Sequence, residues 1–303
     1  MRLQIITAII IGFLFACHAR ETSDFSSGKD SQDGFCLPAN IYHIEATSED
    51  QEIFKKTLEH IYAGTNDFTG FSDVITKTAM FFLKSPYVAH TLETPGEEQL
   101  VVNLREMDCT TFVEYVVAVS LLIKENRTDF ERFTELLACI RYRNGVIDGY
   151  PSRLHYFTEW MQSNADKGIL EIVSNEFSDV LYNTNVSFMS SNPGLYRQLD
   201  NPEFVSRIKE TEKVVSGFEM NFIPKDRIME IEDHINDGDI IAFTTDISGL
   251  DVSHTGFAFH QHGRLHLLHA STRTNKVEIS PVPLSDYLAP MRRVTGILVG
   301  RIK

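Results

Sequence analysis

Hydrophobic and polar positions follow two different patterns in the two parts of the chain. In the first part, apolar residues recur at helical spacing, for example at Phe130, Phe133 and Ile140, which predicts amphipathic helices. From Asp239 onward, short apolar runs alternate with turn residues, which predicts strands. Helices first and an antiparallel sheet last are typical of the α+β class.

One predicted helix differs from the others because apolar residues lie on nearly all its sides. It includes Tyr115–Ile123, and such a pattern indicates a buried helix. Its cap is either Asp108, or Thr111 with Glu114 as a capping box. Both alternatives place Cys109 at or just before the helix N-terminus. There the helix dipole would lower the pKa of the thiol, and backbone N–H groups could receive an oxyanion. The alternative is a buried structural cysteine.

Two histidines fall on strands that a short turn joins. If His262-Gly263 forms a two-residue turn, Gln261 pairs with Arg264, and His269 lies diagonally beside His254 on one face. A three-residue loop with a bulge would place the two histidines on opposite faces. In the favourable register, His254 accepts a thiol proton and His269 orients its ring, as in other catalytic triads.

The same stretch contains five histidines, from His254 to His269, which suggests a metal site as an alternative. His260 and His262 fall at the turn, and His266 alternates to the other face from His269. No cysteine or carboxylate completes a tetrahedral set at a familiar spacing. We therefore expect neither a metal nor a cofactor.

The first residues predict export. A positive start precedes the apolar run Ile5–Phe15, which is shorter than the ~20 residues that cross a bilayer but suits a signal peptide. The run ends at Leu14-Phe15-Ala16-Cys17, which resembles a lipid-attachment box, although cleavage after Ala19 is the alternative. We expect a signal peptide at 1–19 and a location in the periplasm or, through acylated Cys17, on the outer membrane.

The net charge limits the classes of molecule that the protein can bind, and the number of cysteines limits how they can pair. The formal net charge of −14 argues against nucleic acid, whose binding needs clustered Lys and Arg, and favours a small soluble fragment over intact anionic wall. If Cys17 is removed or acylated, three cysteines remain, and one thiol must be unpaired. Cys36 with Cys139 is the plausible bridge, although both could be reduced, and Cys109 is then the unpaired thiol.

Four segments resemble a known superfamily in their order and context. They are Asp108–Phe112 (DCTTF), Asp237–Phe243 (DGDIIAF), Ser253–Phe257 (SHTGF) and Leu268–Ser271 (LHAS). They look like the NlpC-type, papain-like murein hydrolases. The resemblance implies a nucleophile helix packed on a C-terminal, barrel-like antiparallel sheet. It also implies Cys109, His254 and His269 as a catalytic triad that forms an acyl-enzyme without a cofactor.

Two further segments, Ser85–Glu93 and Asp148–Phe157, look like the N-acetylmuramoyl-L-alanine amidase-like branch that is common in Bacteroides-type bacteria. This resemblance implies cleavage of the amide between muramic acid and L-alanine. The chain departs from the commonest superfamily members by Thr110-Thr111 after the cysteine and by a long insertion, 126–236. We expect a tether at 20–47, a single monomeric domain at 48–303 that contains this insertion, and a muropeptide or peptidoglycan substrate.

The choice of bond must depend on residues outside the triad. The candidate substrate-binding residues are Tyr87, Tyr150, Arg153, His155 and Tyr156. A turn tyrosine is the alternative for Tyr87, and a surface salt bridge is the alternative for Arg153, whose planar fork could otherwise hold a carboxylate. Two other functions stay open: a D-glutamyl-diamino-acid endopeptidase with the same triad, and a non-catalytic envelope-binding lipoprotein.

Overall fold

The computed structural model describes residues 42–63 and 70–303. The expected signal peptide, Cys17, Cys36 and most of the tether lie outside the described residues. Cys139 takes part in a disulfide bond and Cys109 is a free thiol. The pairing of Cys139 with Cys36 therefore stays a prediction.

Helices occupy the first two thirds of the described chain, and the longer strands follow them. The helices are α1 (Ser48–Tyr62), α2 (Phe71–Phe81), α3 (Cys109–Lys124), α4 (Phe130–Arg141), α5 (Phe157–Asp166), α6 (Ser174–Phe177), α7 (Phe188–Ser191), α8 (Pro202–Val215), α9 (Ile228–Ile231) and α10 (Leu284–Leu288). The strands are β1 (Ile44–Glu45), β2 (Leu100–Val101), β3 (Leu170–Ile172), β4 (Ile223–Pro224), β5 (Ile240–Thr245), β6 (Val252–Gln261), β7 (Arg264–Ser271), β8 (Lys276–Ile279) and β9 (Val294–Ile302). This arrangement of mixed helices and an antiparallel sheet confirms the predicted combination.

The main sheet is open, so the expected barrel-like closure is wrong. Its strands follow the order β3-β9-β5-β6-β7-β8, with β4 also paired to β9, and all these pairs are antiparallel. The edge strands β3 and β8 have only three and four residues and do not pair with each other. Closure is unnecessary here because other elements cover both faces of the sheet.

One face of the sheet packs against the helical part of the chain. Buried Phe257 and Leu268 of the sheet belong to the same apolar cluster as α3, whose Phe112 ring lies 5.6 Å from the Phe257 ring. The opposite face contributes residues such as Phe243 and Leu267 to a second cluster, which α9 and α10 complete. Helix α3 is therefore central, and this position explains the apolar residues around its whole circumference.

The segment 126–236 does not form a separate lobe throughout. Its α4 and α5 pack into the main apolar cluster, and its β3 and β4 pair with β9. A third apolar cluster is confined to this segment. It comprises Tyr150, Tyr156, Val186, Met189, Leu199, Ile208 and Val215.

The helices of the described residues include none that is both long and apolar enough to cross a bilayer.

Candidate active site

Helix α3 begins at Cys109 because Asp108 caps it. The Asp108 Oδ1 atom accepts a hydrogen bond from Thr111 N–H at 2.8 Å, and Asp108 N–H donates to Thr111 Oγ1 at 2.9 Å. Phe112 N–H donates to the Asp108 carbonyl at 3.0 Å. Within the described chain, the N–H groups of Cys109 and Thr110 are left without an acceptor. Asp108 is thus the cap, and two N–H groups at the helix start are available to an anion.

The β6–β7 hairpin has the favourable register. His262 and Gly263 adopt φ values of 54° and 75°, as a two-residue type I′ turn requires, and Gln261 pairs with Arg264. The rings of His254 and His269 consequently meet, with His254 Nε2 and His269 Nδ1 2.6 Å apart. The turn therefore places the two histidines together.

Gly256, which lies between His254 and His269 in the sequence, permits this close approach. A Cβ atom on Gly256 would lie 2.8 Å from His269 Cβ and 2.8 Å from the Leu268 carbonyl oxygen. Both distances are below those that Cβ atoms tolerate, so a side chain here would displace His269. The lack of a Cβ, rather than backbone freedom, explains this glycine.

The cysteine and the first histidine line one small cavity. Its volume is about 160 Å³, and Cys109, Thr110, His254 and Thr255 form part of its wall. Thr255 Oγ1 donates a hydrogen bond to the Cys109 carbonyl at 3.0 Å, which ties the start of α3 to β6. We call this space the Cys109 cavity.

Burial keeps all three candidate catalytic groups neutral near pH 7. Burial and the adjacent Asp108 carboxylate raise the pKa of the Cys109 thiol to about 11, against the opposing effect of hydrogen bonds from Thr255 and Thr110. Burial lowers the pKa of His254 to about 4. Burial, His254 and Arg273 lower that of His269 to about 3. The expected low thiol pKa is therefore not found, because burial and the Asp108 charge outweigh the hydrogen bonds that lower it.

Three of the sequence-predicted substrate residues lie at this site. Tyr87 pairs with Met107, two residues before Cys109, and burial, together with Cys109 and Asp108, raises the pKa of Tyr87 to about 12. His155 and Tyr156 line the Cys109 cavity.

The other polar contacts of His155 and Tyr156 are internal. His155 Nε2 lies 2.8 Å from the Tyr150 carbonyl oxygen, and burial with the Arg153 charge lowers the His155 pKa to about 3. Tyr156 Oη donates to Glu212 Oε1 at 2.7 Å and accepts from Met189 N–H at 2.9 Å. The Tyr156 hydroxyl is therefore engaged inside the protein.

Tyr150 and Arg153 do not line the Cys109 cavity. Tyr150 faces a neighbouring cavity of about 530 Å³, and its ring lies 4.3 Å from the His155 ring. Arg153 is 8% exposed and binds Glu98 through two hydrogen bonds of 2.8 and 2.9 Å, with Glu93 at 3.2 Å. Arg153 is therefore in a buried ion pair, and its substrate role stays a prediction.

The structure adds wall residues that the sequence did not suggest. Met189, Tyr196 and Leu250 line the Cys109 cavity; we call these three residues the outer wall. Met189 and Tyr196 come from a polar, Asn/Ser-rich stretch without periodicity, so no local signal identified them. Leu250 lies two residues before β6, the strand that contains His254, and this short separation in sequence is the signal that could have identified it.

Two of the three remaining histidines of the hairpin have other partners. His260 Nδ1 lies 2.7 Å from Asp237 Oδ1, and His266 Nδ1 lies 2.8 Å from the Ser280 carbonyl oxygen. Across residues 42–63 and 70–303, no three Asp, Glu, His or Cys side chains are grouped to hold a metal ion.

Fold and cavity together define an α+β protein in which a free cysteine and a histidine pair meet at one site. A family model described as AmiA-like, N-acetylmuramoyl-L-alanine amidase-like, matches residues 77–297. The match includes all three candidate catalytic residues and most of the chain. The protein therefore belongs to this amidase-like family.

Solved structures agree with this assignment. An N-acetylmuramoyl-L-alanine amidase from Bacteroides uniformis is 44% identical over 77% of this chain and 99% of its own, with a TM-score of 0.74. A Bacteroides fragilis protein whose name suggests a xylanase is 42% identical over 74% of this chain and 98% of its own, with a TM-score of 0.71. A Legionella pneumophila protein shares the fold, with a TM-score of 0.62. It is 21% identical over 84% of this chain and 94% of its own. No curated protein matches the sequence.

Proposed function

We propose that the protein hydrolyses the amide between N-acetylmuramic acid and L-alanine in peptidoglycan fragments, through a cysteine acyl-enzyme. The observation that carries the proposal is the meeting of Cys109, at the start of α3, with the His254–His269 pair beside one cavity. Family membership and the similar Bacteroides uniformis amidase support the choice of an amide substrate. A papain-like, NlpC-type ancestry accounts for the same three residues in this order.

The contact between the two histidines supports His254 as the base. In this proposal His254 Nε2 donates to His269 Nδ1, which lies 2.6 Å away, so that Nδ1 of His254 is the unprotonated nitrogen and accepts the proton of the Cys109 thiol. Since both groups are neutral near pH 7, proton transfer accompanies attack rather than preceding it. His269 acts by holding the His254 ring and its tautomer.

Sulfur then attacks the carbonyl carbon, and the oxyanion lies against the N–H groups of Cys109 and Thr110. His254 returns its proton to the amide nitrogen as the C–N bond breaks, and the peptide leaves with a free amine. Water, deprotonated by His254, attacks the thioester and releases the carboxylic acid. The thiol recovers its proton from His254.

Glycoside hydrolysis, which the name of the Bacteroides fragilis relative suggests, fits this site poorly. That chemistry needs two carboxylates that face each other across the substrate. Among the residues that line the Cys109 cavity, Asp251 is the single carboxylate, and its Oδ2 accepts hydrogen bonds from Thr158 N–H and Oγ1 at 2.8 and 2.7 Å.

Digestion of a disaccharide-peptide, followed by mass spectrometry, tests the proposal. The wild type should release a free peptide that begins with alanine, and Cys109→Ala should release none while it keeps its circular dichroism spectrum. Thr76→Ala, on α2, provides a control. Cleavage of a sugar-free peptide inside its stem would establish the endopeptidase instead. Binding without cleavage would establish the non-catalytic lipoprotein, and full activity of Cys109→Ala would end the cysteine mechanism.

We also propose that the protein is exported, because the charged start, the short apolar run and Cys17 are typical of a signal sequence. Fractionation of the native host tests the proposal, with Cys17→Ser as the variant that loses membrane association if the protein is lipidated. Cytoplasmic protein that retains Met1 would contradict export.

A further inference from the structure

The outer wall of the Cys109 cavity restricts the space next to the reacting bond. The cavity volume of about 160 Å³ is roughly half the ~300 Å³ at which ordinary ligand pockets begin. Met189 is 4% exposed, and Tyr196 is partly buried. A space of this size receives the scissile amide and small groups attached to it, while the rest of a muropeptide lies outside.

Buried hydrogen bonds hold Met189 of the outer wall in place. Met189 N–H donates to Tyr156 Oη, which itself donates to Glu212 Oε1 at 2.7 Å. Ser190 N–H donates to the same Glu212 oxygen at 2.9 Å. Glu212 is 3% exposed, so its carboxylate joins α8, α7 and the start of α5. A wall that is fixed in this way resists expansion around a larger substrate group.

The outer wall lies on the His254 side of the cavity. The Gly249 carbonyl accepts hydrogen bonds from Ser187 N–H and Phe188 N–H, both at 2.9 Å. Gly249 has a φ of 79°, and a Cβ atom here would lie 2.8 Å from Ser187 Oγ. These contacts join α7, which contains Met189, to the loop that leads into β6 and His254.

We propose that Met189, together with Tyr196, sets the upper size limit on the amino-acid side chain that follows the scissile amide. This inference rests on the proposed amidase function. His254 must deliver its proton to the departing amine, so the residue that contains this amine lies on the His254 side, against Met189. A methyl group fits there, and a branched side chain does not.

Two synthetic substrates test the size limit: an N-acetylmuramoyl peptide whose first residue is L-alanine, and the same compound with L-valine. The wild type should prefer alanine. In Met189→Ala the ratio of the two kcat/KM values should fall about tenfold or more, since a missing methylene in an apolar pocket changes discrimination by about 10- to 200-fold. Leu195→Ala is the matched control, because Leu195 belongs to the same segment but is 63% exposed.

The outcomes separate the size limit from the proposed function. An unchanged ratio in Met189→Ala, with alanine still cleaved by the wild type, overturns the size limit alone. If the wild type cleaves neither substrate, the proposed function and the size limit both fail. Met189→Leu, which conserves volume, should keep the ratio. Should Met189→Ala not fold, Tyr196→Ala has the same expected effect.

Discussion

The candidate catalytic centre and the outer part of the Cys109 cavity are built by different kinds of contact. At the centre, a capping box places Cys109, and a two-residue turn places His254 beside His269. At the outer part, Tyr156, Met189 and Glu212 are brought together by buried contacts between residues up to 56 positions apart. Local rules thus place Cys109 on its helix and His254 beside His269, whereas tertiary packing joins these two pieces and assembles the whole outer part.

The largest expected effect tests whether Arg153 stabilises the fold or binds the substrate. Its side chain and that of Glu98 are 9% and 5% exposed, so Arg153→Ala leaves a buried carboxylate without its partner. Loss of one partner of a buried pair costs about 3–5 kcal/mol. We expect a decrease of this order in the free energy of unfolding, measured with urea.

The exposed pair Arg207–Asp148 provides the control, with side-chain exposures of 35% and 71%. Arg207→Ala should cost less than about 1 kcal/mol. If Arg153→Ala is as stable as the wild type and only raises KM, Arg153 binds substrate, as the sequence first suggested.

The next effect tests the catalytic centre. His254→Ala should lower kcat/KM at least ~100-fold, the lower range for general acid–base catalysis. It should also lower the stability by about 1–3 kcal/mol, because buried His269 loses its partner. His260→Ala, on the same strand but bound to Asp237, should keep its activity. Comparable losses in both variants would mean that strand integrity, and not proton transfer, explains the first result.

The sequence predicted that a helix starts at or just after Cys109 and offered the pairing of His254 with His269 as one of two registers, because both signals are short. Asp108 lies three residues before Thr111, and the His262-Gly263 turn fixes every pairing between β6 and β7. The same approach could not place Arg153, since Glu93 and Glu98 are about sixty and fifty-five positions away. It also missed Met189, whose neighbours come from other elements. Closure of the sheet was misjudged because it depends on which elements cover its faces, such as α9 and α10.

A smaller effect tests the outer part. Tyr156→Phe removes the hydroxyl that joins Met189 N–H to Glu212 and leaves buried polar groups without partners. Each such group costs about 1–3 kcal/mol, and we expect a loss of stability within this range by thermal unfolding, together with weaker discrimination between alanine and valine. Tyr62→Phe, at a residue that is 40% exposed, should change neither. A stable Tyr156→Phe with unchanged discrimination would mean that apolar packing alone fixes the outer wall.

The smallest expected effect concerns pH and returns to the centre. His254 must be neutral to accept the thiol proton, and its pKa is lowered from 6.5 to about 4. The rate kcat/KM, which reports the free enzyme, should therefore stay level from neutral pH down to about pH 5 and reach half its value near pH 4. The unfolded chain binds this proton at a higher pH than the folded chain does. The folded state therefore also loses stability as the pH falls from 6.5 towards 4. Each rate is therefore paired with a circular dichroism spectrum at the same pH. An acid limb centred near pH 6.5 in a fully folded protein would contradict the neutral buried histidine pair, and with it the transfer of the thiol proton during attack.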